Sequence, residues 1–92
     1  MKYMTLKLTV YGSVQMVGYR WFAKQHADLL GINGYVRNMS RGEVEIIAQG
    51  EETNVTTYID FLKQGPSRSN VTKITKEAIE PERSFQQFSI RM

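Results

Sequence analysis

The segment GSVQMVGYR, Gly12 to Arg20, ends on a permanently charged guanidinium. It follows an alternating apolar run and leads into a helical pattern. A strand, a loop and a helix start in that order make successive backbone N–H groups converge on one point, where the positive end of the helix dipole favours an anion. The fork of Arg20 suits phosphate oxygens. Arg20 also falls in the first helical turn, where a cation opposes the dipole, and an anionic ligand relieves that conflict. The chemistry on offer is the binding and alignment of a phosphate group.

Several other chemistries are excluded. The chain has no cysteine, so it has no disulfide, thiolate zinc site or phosphocysteine intermediate. His26 is the only histidine, which removes a histidine-rich metal site and a two-histidine phosphate relay. Its place beside the apolar helix face gives it a structural role. Glu43, Glu45, Glu51 and Glu52 read as a solvated face and a helix start rather than a metal cluster, so no metal and no cofactor is expected. A net charge of +3 favours an anionic ligand without distinguishing a small phosphate compound from nucleic acid.

The elements that position the loop follow from periodicity. Met4, Leu6, Leu8 and Val10 alternate with Thr5, Lys7, Thr9 and Tyr11, which predicts a strand with one buried face. From Arg20 to Leu30, Phe22, Ala23, His26, Ala27 and Leu30 make one face of a helix, with Gly31 at a left-handed C-cap. Asn33-Gly34 is a turn before a second strand, Tyr35 to Met39, and Arg41-Gly42 turns into a third, Val44 to Gln49. Glu51 to Gln64 reads as a second helix, burying Val55, Tyr58, Ile59 and Leu62 and ending at Gly65-Pro66. Val71 to Ile79 is a fourth strand, and Phe85 to Arg91 a short last one after a turn at Pro81. Trp21, Phe22, Tyr58 and Phe61 read as core or core-edge residues.

At 92 residues the chain forms one domain, residues 1–92. The order βαββαβ with a short extra C-terminal strand predicts an α+β, ferredoxin-like split βαβ sandwich, two helices covering one face of an antiparallel sheet. No apolar run is long enough for a membrane span, and the alternating N-terminus is unlike a signal peptide, so a cytoplasmic protein is expected.

Two segments together resemble the acylphosphatase family. Gly12, Val14, Gln15, Val17 and Arg20 match its loop signature. Gly34, Tyr35, Val36, Asn38, Gly42, Val44 and Gly50 match its second, and the likeness runs over essentially the whole chain. The resemblance implies metal-free hydrolysis of acyl phosphates to a carboxylate and inorganic phosphate. It makes Arg20 and Asn38 the catalytic pair. Arg20 then grips the phosphoryl oxygens with the backbone N–H groups of Gln15, Met16, Val17, Gly18, Tyr19 and Arg20, and Asn38 orients the attacking water. Asn has no useful pKa and cannot be the base. A substrate phosphate oxygen takes the proton in the scheme associated with this family.

Met16 departs from the pattern, which carries Gly there; a positive φ at that position costs a non-Gly residue about 1–3 kcal/mol. Tyr19 replaces the usual Phe and packs in the core if its hydroxyl finds a partner. The alternatives are a phosphate-binding relative that turns over poorly because of Met16, and an RNA-binding module of the same element order. Against the latter, the third strand EVEIIAQ lacks stacking aromatics. The expected partner is a small-molecule acyl phosphate, the substrate of a monomeric protein, with neither nucleic acid nor membrane.

Overall fold

The computed structural model describes residues 2–80 and 84–92. Leu6, Leu8 and Val10 are buried on one side of β1 (Tyr3–Ser13), as their alternation requires. Helix α1 (Tyr19–Leu30) buries Tyr19, Ala23 and Ala27. It ends at Gly31, whose φ of 69° is the left-handed cap that the pattern predicts. The hairpin β2 (Asn33–Asn38) and β3 (Val44–Glu51) follows, then α2 (Glu52–Gln64), β4 (Asn70–Ala78) and β5 (Phe88–Arg91).

The sheet order is β4-β1-β3-β2-β5, and β1 pairs antiparallel with both β3 and β4. β2 pairs antiparallel with β3 and parallel with β5, so the ferredoxin-like sheet is antiparallel except at this last edge. Between sheet and helices lies a core that includes Leu8, Val36, Ile46, Ala23, Tyr58 and Leu62, all fully buried. Each large aliphatic side chain contributes roughly 1.5–3 kcal/mol on burial. The two buried tyrosines satisfy their hydroxyls: Tyr58 donates to the Ala23 carbonyl at 2.9 Å, and Tyr19 to the Leu62 carbonyl at 2.7 Å. That last bond meets the condition under which Tyr fits where Phe is usual.

Asn33 and Gly34, expected as a turn, lie inside β2 and pair with Gln49 and Ala48. Three further expectations change. The last strand begins at Phe88 rather than Phe85, because Phe85 is held by side chains, and backbone pairing starts only at Gln87, whose carbonyl accepts from the Gly34 N–H at 2.9 Å. Asn33 Nδ2 donates to the Phe85 carbonyl at 3.0 Å, and the Phe85 N–H donates to Gln49 Oε1 at 2.9 Å. The expected turn at Pro81 lies outside the described residues. Trp21 is 58% exposed, not core, because it stands off the Tyr19, Ala23 and Ala27 face.

Glu45 is the third of these corrections, since it is buried rather than solvated. It sits on central strand β3, on the face opposite the helices, where Arg37 Nε donates to it at 2.6 Å and the Tyr35 hydroxyl at 3.2 Å. Lys7 Nζ lies 3.7 Å away. Burial pushes the Glu45 pKa up, but the hydrogen bond and charge of Arg37, with help from Tyr35 and Lys7, outweigh it and hold the carboxyl below its usual value. A lowered folded pKa stabilises the protein above the unfolded value, and this is lost as pH falls through the folded one. Glu45→Gln is therefore expected to lower the urea midpoint at neutral pH. The gap to the wild type should shrink on acidification below about pH 4, which unfolding curves across pH will check.

Candidate active site

The loop joining β1 to α1 is fixed at both ends by buried side chains, Val14 and Tyr19. Its middle is tied elsewhere. Gln15 Nε2 donates to the Met39 carbonyl at 2.8 Å and to the Glu43 carbonyl at 2.9 Å, fastening the loop to the turn between β2 and β3. That turn is closed by the Met39 N–H on the Glu43 carbonyl at 2.8 Å. Asn38 is the last residue of β2, paired with Val44, so the Gln15 bonds hold the loop beside it.

Met16 adopts φ 63°, the only positive value at a non-glycine among the described residues, and its side chain is 98% exposed. The position thus demands the left-handed backbone that glycine would adopt freely, and Met16 adopts it at a cost of about 1–2 kcal/mol. Gly18, also left-handed at φ 81°, is the N-cap of α1. It offers no side-chain cap, and no acidic residue occupies the first turn. The helix start is therefore left positive, with Arg20 adding to it.

Arg20 Nη1 donates to the Arg91 carbonyl at 3.0 Å and lies 3.9 Å from Met92 Sδ. Among the described residues Arg20 forms no ion pair with a carboxylate. β5 thus holds one edge of the guanidinium in place. Arg20 and Asn38 line one pocket of about 210 Å³, with Val14, Met16, Gly18 and Tyr19 of the loop and with Trp21 and Ile90. Asn38 lines this pocket, and its Oδ1 is buried without a hydrogen-bond partner, so an unsatisfied polar group stands at the pocket wall.

Of the sequence-predicted site residues, the pocket brings together Met16, Gly18, Tyr19, Arg20 and Asn38. Gln15 instead points its side chain at the hairpin turn, and Val17 packs against the core. Sequence reasoning missed Trp21, although its place off the apolar helix face was a usable signal. It also missed Ile90 and the Arg91 carbonyl; a backbone carbonyl leaves no mark in residue type. His26 lies between the rings of Phe22 and Phe61, each 4.3 Å away, with its pKa lowered by burial, and it does not line the pocket. Among the described residues no group of His, Cys, Asp and Glu is placed to hold a metal ion.

The fold and this pocket define a ferredoxin-like domain with a cleft, lined by Arg20 and an uncapped helix start, between a strand-to-helix loop and a hairpin end. The acylphosphatase family model matches residues 6–90. An acylphosphatase of Actinobacillus succinogenes is 40% identical over 84 residues, spanning 91% of this chain and 93% of that relative. The crystal structure of an acylphosphatase from Bacillus subtilis superposes with a TM-score of 0.93 at 32% identity, covering 97% of this chain and 99% of that one. An acylphosphatase structure from Coxiella burnetii gives 0.91 at 31% identity, covering 97% of this chain and 93% of the other. The chain belongs to the acylphosphatase family.

The backbone at residue 16 supplies a direct test. Met16→Gly removes the strain without opening a cavity, and it is expected to raise stability by about 1 kcal/mol in urea unfolding. A loss of stability would show that the Met16 side chain supports the fold.

Proposed function

We propose that the protein hydrolyses acyl phosphates, with Arg20 and Asn38 as the catalytic pair. The observation that carries this reading is the meeting of Arg20 and Asn38, whose Oδ1 is buried without a partner, on one pocket at the open start of α1. Arg20 and the backbone N–H groups of residues 15–20 bind the phosphoryl oxygens, where negative charge is spread in a loose transition state. Asn38 Oδ1 accepts a hydrogen bond from water and turns the water's lone pair towards phosphorus.

The bond from phosphorus to the water oxygen forms as the bond to the bridging oxygen breaks. The carboxylate leaves with that electron pair. Its good leaving-group character makes a general acid dispensable, and the water proton passes to a phosphate oxygen of the substrate. No protein base is required, in keeping with a pocket whose polar side chains are Arg, Asn and Tyr. Burial raises the Tyr19 pKa and keeps the hydroxyl neutral, and that hydroxyl is bonded to Leu62.

The left-handed backbone at Met16 favours an active enzyme over a weak phosphate-binding relative, because the loop keeps the path a glycine would give it. The domain acts as a cytoplasmic monomer in this reading. Among the described residues no helix is long and apolar enough to cross a membrane.

Steady-state hydrolysis of benzoyl phosphate by the metal-free protein tests the assignment. Arg20→Ala is expected to lower kcat/KM about 10³-fold and to abolish competitive inhibition by inorganic phosphate. Asn38→Ala is expected to lower kcat about 10²-fold with KM within about threefold. Equal activity in the wild type and both variants would refute the assignment.

A further inference from the structure

Among the described residues seven large hydrophobic side chains are exposed, and three of them, Met16, Trp21 and Ile90, line the pocket that carries Arg20 and Asn38. Single exposed hydrophobes are ordinary on a protein surface, but a cluster of them along one pocket, beside Arg20 and Asn38, calls for a cause. Core packing does not supply it: none of the three belongs to the buried cluster or to the side chains packed against it. Met16 makes the point most sharply. It holds a strained backbone at φ 63° while its side chain is 98% exposed, so the fold gains nothing from the thioether.

The pocket is also larger, at about 210 Å³, than a phosphoryl group alone would occupy. In an acyl phosphate the acyl carbon is one bridging oxygen away from phosphorus. A phosphoryl group seated on the loop and Arg20 therefore leaves its acyl group within reach of the other side chains that line the pocket. Trp21 offers a flat apolar face and Met16 a flexible, polarisable chain, with Ile90 completing the wall. Such a surface gains free energy from an aromatic or other apolar group and nothing comparable from a small polar one.

We infer that Met16, Trp21 and Ile90 form an acyl-group subsite that selects acyl phosphates with an aromatic or bulky apolar acyl group over small ones. The inference rests on the acyl-phosphate reading of the Arg20 and Asn38 pocket. Trp21 is the only tryptophan in the chain, so its emission reports on the subsite without turnover.

The test has two arms. The first compares kcat/KM for benzoyl and acetyl phosphate in the wild type, Trp21→Ala and Met16→Ala, the latter keeping a Cβ on the same strained backbone. The benzoyl-to-acetyl ratio is expected to fall about tenfold in Trp21→Ala and about threefold in Met16→Ala, through KM for benzoyl phosphate. The second arm titrates the wild type with phenacylphosphonate and acetonylphosphonate, in which a methylene replaces the bridging oxygen. The phenacyl compound is expected to bind about tenfold tighter and to change the tryptophan emission. Unchanged substrate ratios, or equal binding of the two phosphonates with unaltered emission, would overturn the subsite. A wild type that hydrolyses neither substrate would overturn the hydrolase reading alone, because the phosphonate titration still decides the subsite.

Discussion

The site depends on one short loop being held rigid from three directions. Buried Val14 and Tyr19 fix its ends, and Gln15 ties its middle to the carbonyls of Met39 and Glu43. Without that tie, the loop and the hairpin end would be joined only through the sheet. With it, the Arg20 pocket and Asn38 share a common reference, which a reaction that is mostly alignment requires. Positioning comes at a local cost: a strained backbone at Met16 and a helix start left positive and uncapped. Both costs lie at the proposed phosphate site, where a bound anion would offset the second of them.

Distant parts of the chain converge on the same site. β5 pairs parallel with β2 and brings the Arg91 carbonyl to Arg20 and the Ile90 side chain to the pocket wall. Side chains hold the chain ahead of that strand, Asn33 and Gln49 on Phe85, before the Gly34 N–H takes it up at the Gln87 carbonyl. The sheet face away from the helices is closed by Glu45 with Arg37, Tyr35 and Lys7. This leaves central strand β3 buried on both faces and gives the hairpin a firm base.

Much of this was legible in residue order. Period-two and helical patterns gave six of the seven elements within a residue or two, and the two signatures pointed to Arg20 and Asn38 before any geometry. What escaped had physical reasons. Glu45 looked solvated because a lone acidic residue carries no sign of the cations that a neighbouring strand will bring to it. The Gln15 side chain ties the loop to the hairpin, a contact that residue order alone does not show because its partners are backbone carbonyls. Trp21 has core-like aromatic character, but its phase on the helix, 200° from Tyr19 at 100° per residue, turns it away from the buried face.

The account turns on where phosphate sits, and amide NMR during titration with inorganic phosphate tests this most directly. Saturable shifts centred on the backbone N–H groups of residues 15–20 and the Asn38 side-chain amide are the predicted result, lost in Arg20→Ala. Shifts spread over the surface lysines, with the loop unmoved, would contradict it.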